Sequence, residues 1–177
     1  MKSNHSFDLL SCFPASAEPG KAFTSVTYSN LYFREPESRA DQTRMMSIVT
    51  TGAETGYYVD VFRSRKEKGG DKMHDYFYHN LGQTLTLTAA DGSDLNLQPT
   101  EELAFAGAHL YAYSYLYDKK VAATAKDVKA TFTIDMKDKD GDDIYMNLWM
   151  KGEPDREVFT ALAPMTEGPV SYTHLRA

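Results

Sequence analysis

Apolar and polar residues alternate with a period of two through most of this chain, and turn residues interrupt the alternation at short intervals. That pattern predicts short antiparallel strands, each with a half-buried face. Ala22 to Arg34 sets Phe23, Ser25, Thr27, Ser29 and Leu31 against Thr24, Val26, Tyr28, Asn30 and Tyr32. A polar turn with Pro36 follows, then a strand over Thr43 to Thr51. Gly56 to Arg65 and Lys72 to Asn80 are dense in Tyr, Phe and Val, and Lys66 to Asp71 lies between them, so the two segments predict a hairpin. Gln83 to Thr88 alternates Gln, Thr and Thr against Leu and Leu, and Val128 to Met136 sets Val, Ala, Phe, Ile and Met against Lys, Thr, Thr and Asp. Asp138 to Asp143 turns the chain, Ile144 to Met150 returns it, and Glu157 to Ala163 forms a last native strand. Ala89 to Ala108 is the longest irregular stretch.

About ten strands without a convincing amphipathic helix predict an all-β protein, an antiparallel β-sandwich. The expected organisation is an irregular N-terminal segment over residues 1–21, then a sandwich over 22–168. Residues 169–177 are set apart. Val170 to Ala177, VSYTHLRA, matches one reading frame of a common sequencing adapter, so this tail is expected to be non-native and to carry no function through His174 or Arg176.

Composition changes the picture little. The chain has 177 residues, enough for one domain with a sizeable core, and twelve Tyr and nine Phe against one Trp favour strands. A net charge of −6, without a basic block, argues against a nucleic-acid partner. An acidic polysaccharide remains compatible, because a local cationic cleft can sit in an acidic whole. Cys12 stands alone, so no internal disulfide forms. No apolar run reaches the length of a membrane span. Met1 to Ala17 ends in a cleavage-site-like Ala15-Ser16-Ala17, but its apolar stretch is short and broken by Asp8. It is not read as a signal peptide, and Met1 is expected to be internal to a longer frame.

Candidate chemistry is sparse. Tyr111, Tyr113, Tyr115 and Tyr117 share one face of His109 to Asp118. They suit either stacking on sugar rings or packing between sheets. Arg63 and Arg44 can fork onto a sulfate or carboxylate, or pair across strands with Asp60 or Asp41. His74 and His79 are five apart, on opposite faces of an extended segment, and so do not share a metal. Asp138 to Asp143 lacks the third ligand position, the terminal Glu and the flanking helices of a calcium hand, and reads as a turn. No Ser-His-Asp set, phosphate-cradling glycine loop or carboxylate pair stands out, so no catalytic residue is assigned.

One group of motifs carries a family resemblance. Val59-Asp60-Val61-Phe62-Arg63, then Gly69-Gly70, then His74-Asp75-Tyr76 with His79 and Gly82, resembles the C-terminal β-sandwich of heparinase II/III-like proteins. Arg44 to Val49 is similar to the arginine-led strand before that hairpin. Leu148-Trp149-Met150 with Arg156-Glu157-Val158 and Ala161 to Pro164 is similar to the paired strands near the domain's end. The order of these motifs, from about Tyr28 to Pro164, covers about two thirds of the chain.

The resemblance implies a larger parent protein, bacterial and periplasmic or extracellular. In it an N-terminal helical toroid precedes a large super-sandwich of which this chain is part. Such proteins cleave uronic-acid polysaccharides by β-elimination: a neutralised carboxylate acidifies the neighbouring C5 proton, a Tyr or His removes it, and a Tyr protonates the leaving oxygen. Those groups come from the toroid and the start of the sandwich, so none is carried onto this chain. The family's structural zinc makes His5, in Ser3-Asn4-His5-Ser6, a candidate ligand, although Ser6 stands where an Asn is usual. Tyr111, Tyr113, Tyr115 and Arg63 are the candidate substrate-binding residues. A different class of reading stays open beside this one: a self-contained, non-catalytic carbohydrate-binding β-sandwich.

Overall fold

The computed structural model describes residues 6–14, 25–36, 38–70, 74–102, 115–136, 141–163 and, for the backbone, 172–176. Among these residues every regular element is a strand, apart from a single turn of helical geometry at Tyr115. No helix there is long and apolar enough to cross a membrane. The chain divides into two compact units, residues 1–74 and 75–177.

The first unit is a four-stranded antiparallel meander in the order β1-β2-β3-β4. Its strands are β1 (Asp8–Phe13), β2 (Val26–Arg34), β3 (Asp41–Thr50) and β4 (Gly56–Arg65). The β2 and β3 ladder runs unbroken from Val26↔Val49 to Arg34↔Asp41, and β3 and β4 pair from Asp41↔Arg65 to Thr50↔Gly56. β1 lies inside the segment expected to be irregular. A bulge between Leu9 and Ser11 breaks its register on β2, so Leu9, Leu10 and Phe13 show no alternation from which a strand can be read.

The second unit is a β-sandwich. One sheet is β10-β9-β6, from β6 (Thr84–Ala89), β9 (Val128–Ile134) and β10 (Ile144–Met150). The other is β5-β12-β11-β8-β7, from β5 (Phe77–Leu81), β7 (Gln98–Pro99), β8 (Tyr117–Ala123), β11 (Glu157–Leu162) and β12 (Tyr172–Arg176). The expected alternation sets the core. Val128, Ala130 and Phe132 of β9 and Leu87 of β6 are buried against Ala122 of β8 and Val158 of β11. Tyr78 of β5 tilts over Phe132 with ring centroids 5.7 Å apart. Burying each of the Val, Leu and Phe side chains contributes about 2 kcal/mol, which is what holds the two sheets face to face.

The hairpin expected between Gly56–Arg65 and Lys72–Asn80 does not form. β4 pairs with β3, while β5 begins at Phe77 in the second unit and pairs with β12. The reason is local. Gly52 to Thr55 makes a tight turn closed by the amides of Thr51 and Gly52 on the Thr55 carbonyl, so β3 captures one edge of β4. Beyond β4, Gly69 and Gly70 take positive φ (104° and 72°), a backbone conformation that suits glycine and breaks the strand. The strand expected from His109 begins at Tyr117, and residues 103–114 lie outside the described residues. The tail expected to stand apart supplies β12, which pairs with β11 on one side and β5 on the other.

Three connections at one end of the sandwich are tied together. The Arg156 guanidinium donates from Nη1 to the Lys151 carbonyl (2.5 Å) and from Nη2 to the Lys126 carbonyl (2.6 Å). The Gly152 amide donates to Asp127 Oδ1 at 2.7 Å, and Lys151 Nζ lies 3.3 Å from the same oxygen. Lys126 Nζ reaches Ser93 Oγ at 3.0 Å. These bonds join the β6–β7, β8–β9 and β10–β11 connections.

Candidate functional site

Two polar surfaces carry groups suited to a glycan, one in each unit. In the first unit, cross-strand partners place Arg34, Asp41 and Arg65 in one row, and Tyr32, Thr43 and Arg63 in the next, all on one face of the sheet. The Tyr32 hydroxyl donates to Asp41 Oδ1 at 2.6 Å, and Arg34 Nη1 stands 3.8 Å from the same oxygen. The bond to Asp41 raises the Tyr32 pKa above the ordinary phenol value. Asp41 is thus engaged by Tyr32 and Arg34. Arg63 and Arg65 are exposed and make no ion pair among the described residues. On the opposite face Arg44 forks onto Asp60, with Nη2 2.6 Å from Oδ2 and Nε 3.0 Å from Oδ1. Of the two arginines singled out in the sequence, Arg44 pairs across strands with Asp60, and Arg63 pairs with neither Asp60 nor Asp41.

In the second unit, the outer face of the three-stranded sheet is a grid of nine side chains. Ladder pairing aligns Tyr145 with Thr133 and Thr84, Asn147 with Thr131 and Thr86, and Trp149 with Lys129 and Thr88. The grid follows from the alternation that forms the core: residues between Leu85 and Leu87, Ala130 and Phe132, or Met146 and Leu148 must point outward. Trp149 is 63% exposed and Tyr145 59% exposed. Thr131 Oγ1 donates to Asn147 Oδ1 at 2.9 Å, and Lys129 Nζ lies 5.4 Å from the Trp149 ring centroid. At the far end, the Tyr145 hydroxyl donates to Asp143 Oδ2 at 3.4 Å.

Of the candidates read from sequence, Arg63 lies in the arginine rows of the first unit. Tyr115 belongs to the second unit and is 63% exposed, ahead of β8. Tyr111, Tyr113 and His5 lie outside the described residues. Among the described residues no three His, Cys, Asp or Glu side chains converge to hold a metal ion. Sequence reasoning missed Tyr145 and Trp149. Their spacing of four in a strand puts them on one face, and the hairpin turn sets that face beside the polar side of β9, where Thr131 and Thr133 stand.

No family model matches the chain, and no solved structure matches it. It is similar to a curated protein, the endo-acting ulvan lyase of Formosa agariphila, with 32% identity over 143 residues. That similarity takes in 78% of this chain and 17% of the relative, so the chain spans about a sixth of the length of the curated relative it matches. The chain is therefore related to part of a polysaccharide lyase.

Proposed function

We propose that this chain is the C-terminal β-sandwich portion of a lyase that cleaves uronic-acid polysaccharides by β-elimination, of the heparinase II/III-like kind. The observation that carries the reading is the similarity to an ulvan lyase along 143 residues of an all-β chain. The ordered motifs from Arg44 to Pro164 favour the family. The groups that neutralise the uronate, remove the C5 proton and protonate the leaving oxygen come from a helical toroid and from the start of the sandwich, outside this portion. This portion supports that cleft and contacts the polymer. The parent acts outside the cytoplasm, where such polymers are met.

The test compares the chain alone with the longer protein encoded by its full reading frame, on ulvan, alginate and heparan sulfate. Ultraviolet absorbance of the unsaturated uronate reports cleavage. The longer protein is expected to generate that signal on at least one polymer, and the isolated chain on none. Cleavage by the chain alone, or a frame without a helical domain upstream, overturns the reading.

A further inference from the structure

We propose that the outer face of the β6–β9–β10 sheet is a binding platform for an acidic polysaccharide chain, with Trp149 and Tyr145 stacking on sugar rings and Lys129 meeting a carboxylate or sulfate. This names a contact surface for the polymer. It rests on the proposed function only for the class of ligand.

Threonine fills five of the nine positions on this face, the ordinary choice for the solvent side of a sheet. The chain's single Trp stands among them, more than half exposed, with Lys129 over its ring. An indole set on a flat, hydroxyl-rich surface offers an apolar plane to the C–H face of a pyranose. The Thr hydroxyls and the Asn147 amide around it offer donors and acceptors to the sugar's own hydroxyls. Asn147 accepts from Thr131 through its oxygen, which leaves its two N–H donors directed away from that bond. Tyr145 and Trp149 are four residues apart on one strand, about 13 Å. That span addresses different sugars of one chain rather than a single ring.

Charge sets the direction. Lys129 stands over the indole, so an acidic group on the sugar stacked at Trp149 meets a cation held against an apolar surface. Asp143 accepts from the Tyr145 hydroxyl at the other end and disfavours a second acidic group there. The platform therefore fits a chain with its carboxylate or sulfate at the Trp149 end and an uncharged ring over Tyr145.

The sole Trp makes the site its own reporter. The 177-residue chain is titrated with ulvan, alginate and neutral dextran while the indole emission is followed. A saturable change with at least one acidic polymer is expected. Tyr145→Ala is expected to weaken it at least tenfold, Tyr145→Phe to leave it within twofold, and Lys129→Gln to weaken it and remove most of its salt dependence. Thermal melts unchanged from the parent chain confirm that these outer-face variants fold. The proposal is overturned if neither acidic polymer alters the emission, if the change survives Tyr145→Ala, or if dextran binds as tightly as the acidic polymers. Lyase activity of the longer protein is a separate reading: activity there with no emission change here removes the platform and leaves the proposed function standing.

Discussion

Gly152 shows how narrowly one residue can be fixed. A Cβ at this position overlaps the Ala125 carbonyl oxygen and lies 2.7 Å from the Lys126 carbonyl carbon and 2.9 Å from the Asp127 nitrogen. All three are backbone atoms, so no side chain can swing aside. Gly152 has no unusual φ, and the constraint is close approach rather than backbone conformation. The approach is what lets the Gly152 amide reach Asp127 Oδ1 and brings Lys151 into range of Arg156. Gly152→Ala is expected to cost about 3 kcal/mol, the upper part of the range for forcing atoms into a packed site. Urea denaturation followed by circular dichroism measures it; a loss under about 0.5 kcal/mol, the scale of a neutral surface change, shows that the two connections are not held as described.

At the scale of the elements, the connection that carries Asp127 has a pH signature. The Gly152 amide bond, then the Lys151 ammonium, hold the Asp127 carboxyl below its ordinary pKa. A carboxyl depressed in the folded state stabilises the fold above its unfolded value of about 3.9, and the contribution is lost as pH falls through the folded value. Asp127→Asn keeps an oxygen for the Gly152 amide and removes the charge. The variant is expected to melt below the parent chain at pH 7, with the gap closing under about pH 4. A gap that persists unchanged into acid shows that the charge is not what matters. The strands that this connection joins were legible in sequence because β9 alternates cleanly: Val128, Ala130 and Phe132 go inward, and Lys129, Thr131 and Thr133 outward. β1 was not legible, since the bulge at Leu10 breaks its period, and the pairing of β4 was misassigned because aromatic density fixes a strand but not its partner. The platform was half legible. The threonines and Lys129 follow from alternation, but only the register of β10 on β9 shows that Tyr145 and Trp149 join them. The arginine rows needed the register too, since Arg34 and Arg65 are far apart in sequence and both align with Asp41.

Across the whole molecule, burial is unevenly shared. Among the described residues of 1–74 only Ala40 and Ser47 are buried, whereas the second unit holds Leu87, Val128, Ala130, Phe132, Val158 and Phe159. On one face of the first sheet Met46 and Ile48 are half-exposed, and Tyr58, aligned with Ile48, is 73% exposed. A sheet in this condition has its ladder bonds but little apolar burial behind them, so separating its strands forfeits little hydrophobic stabilisation. Opening the sandwich exposes Phe132 and Val158 from complete burial, and local opening free energies track that difference. Hydrogen exchange reads it directly, because the central strands β3 and β9 are each bonded on both edges. Amides of Ala130 and Phe132 are therefore expected to exchange at least tenfold more slowly than those of Met45 and Ser47, a difference of about 1.4 kcal/mol in opening free energy. Equal protection means that the first sheet draws its stability from packing beyond its own buried residues.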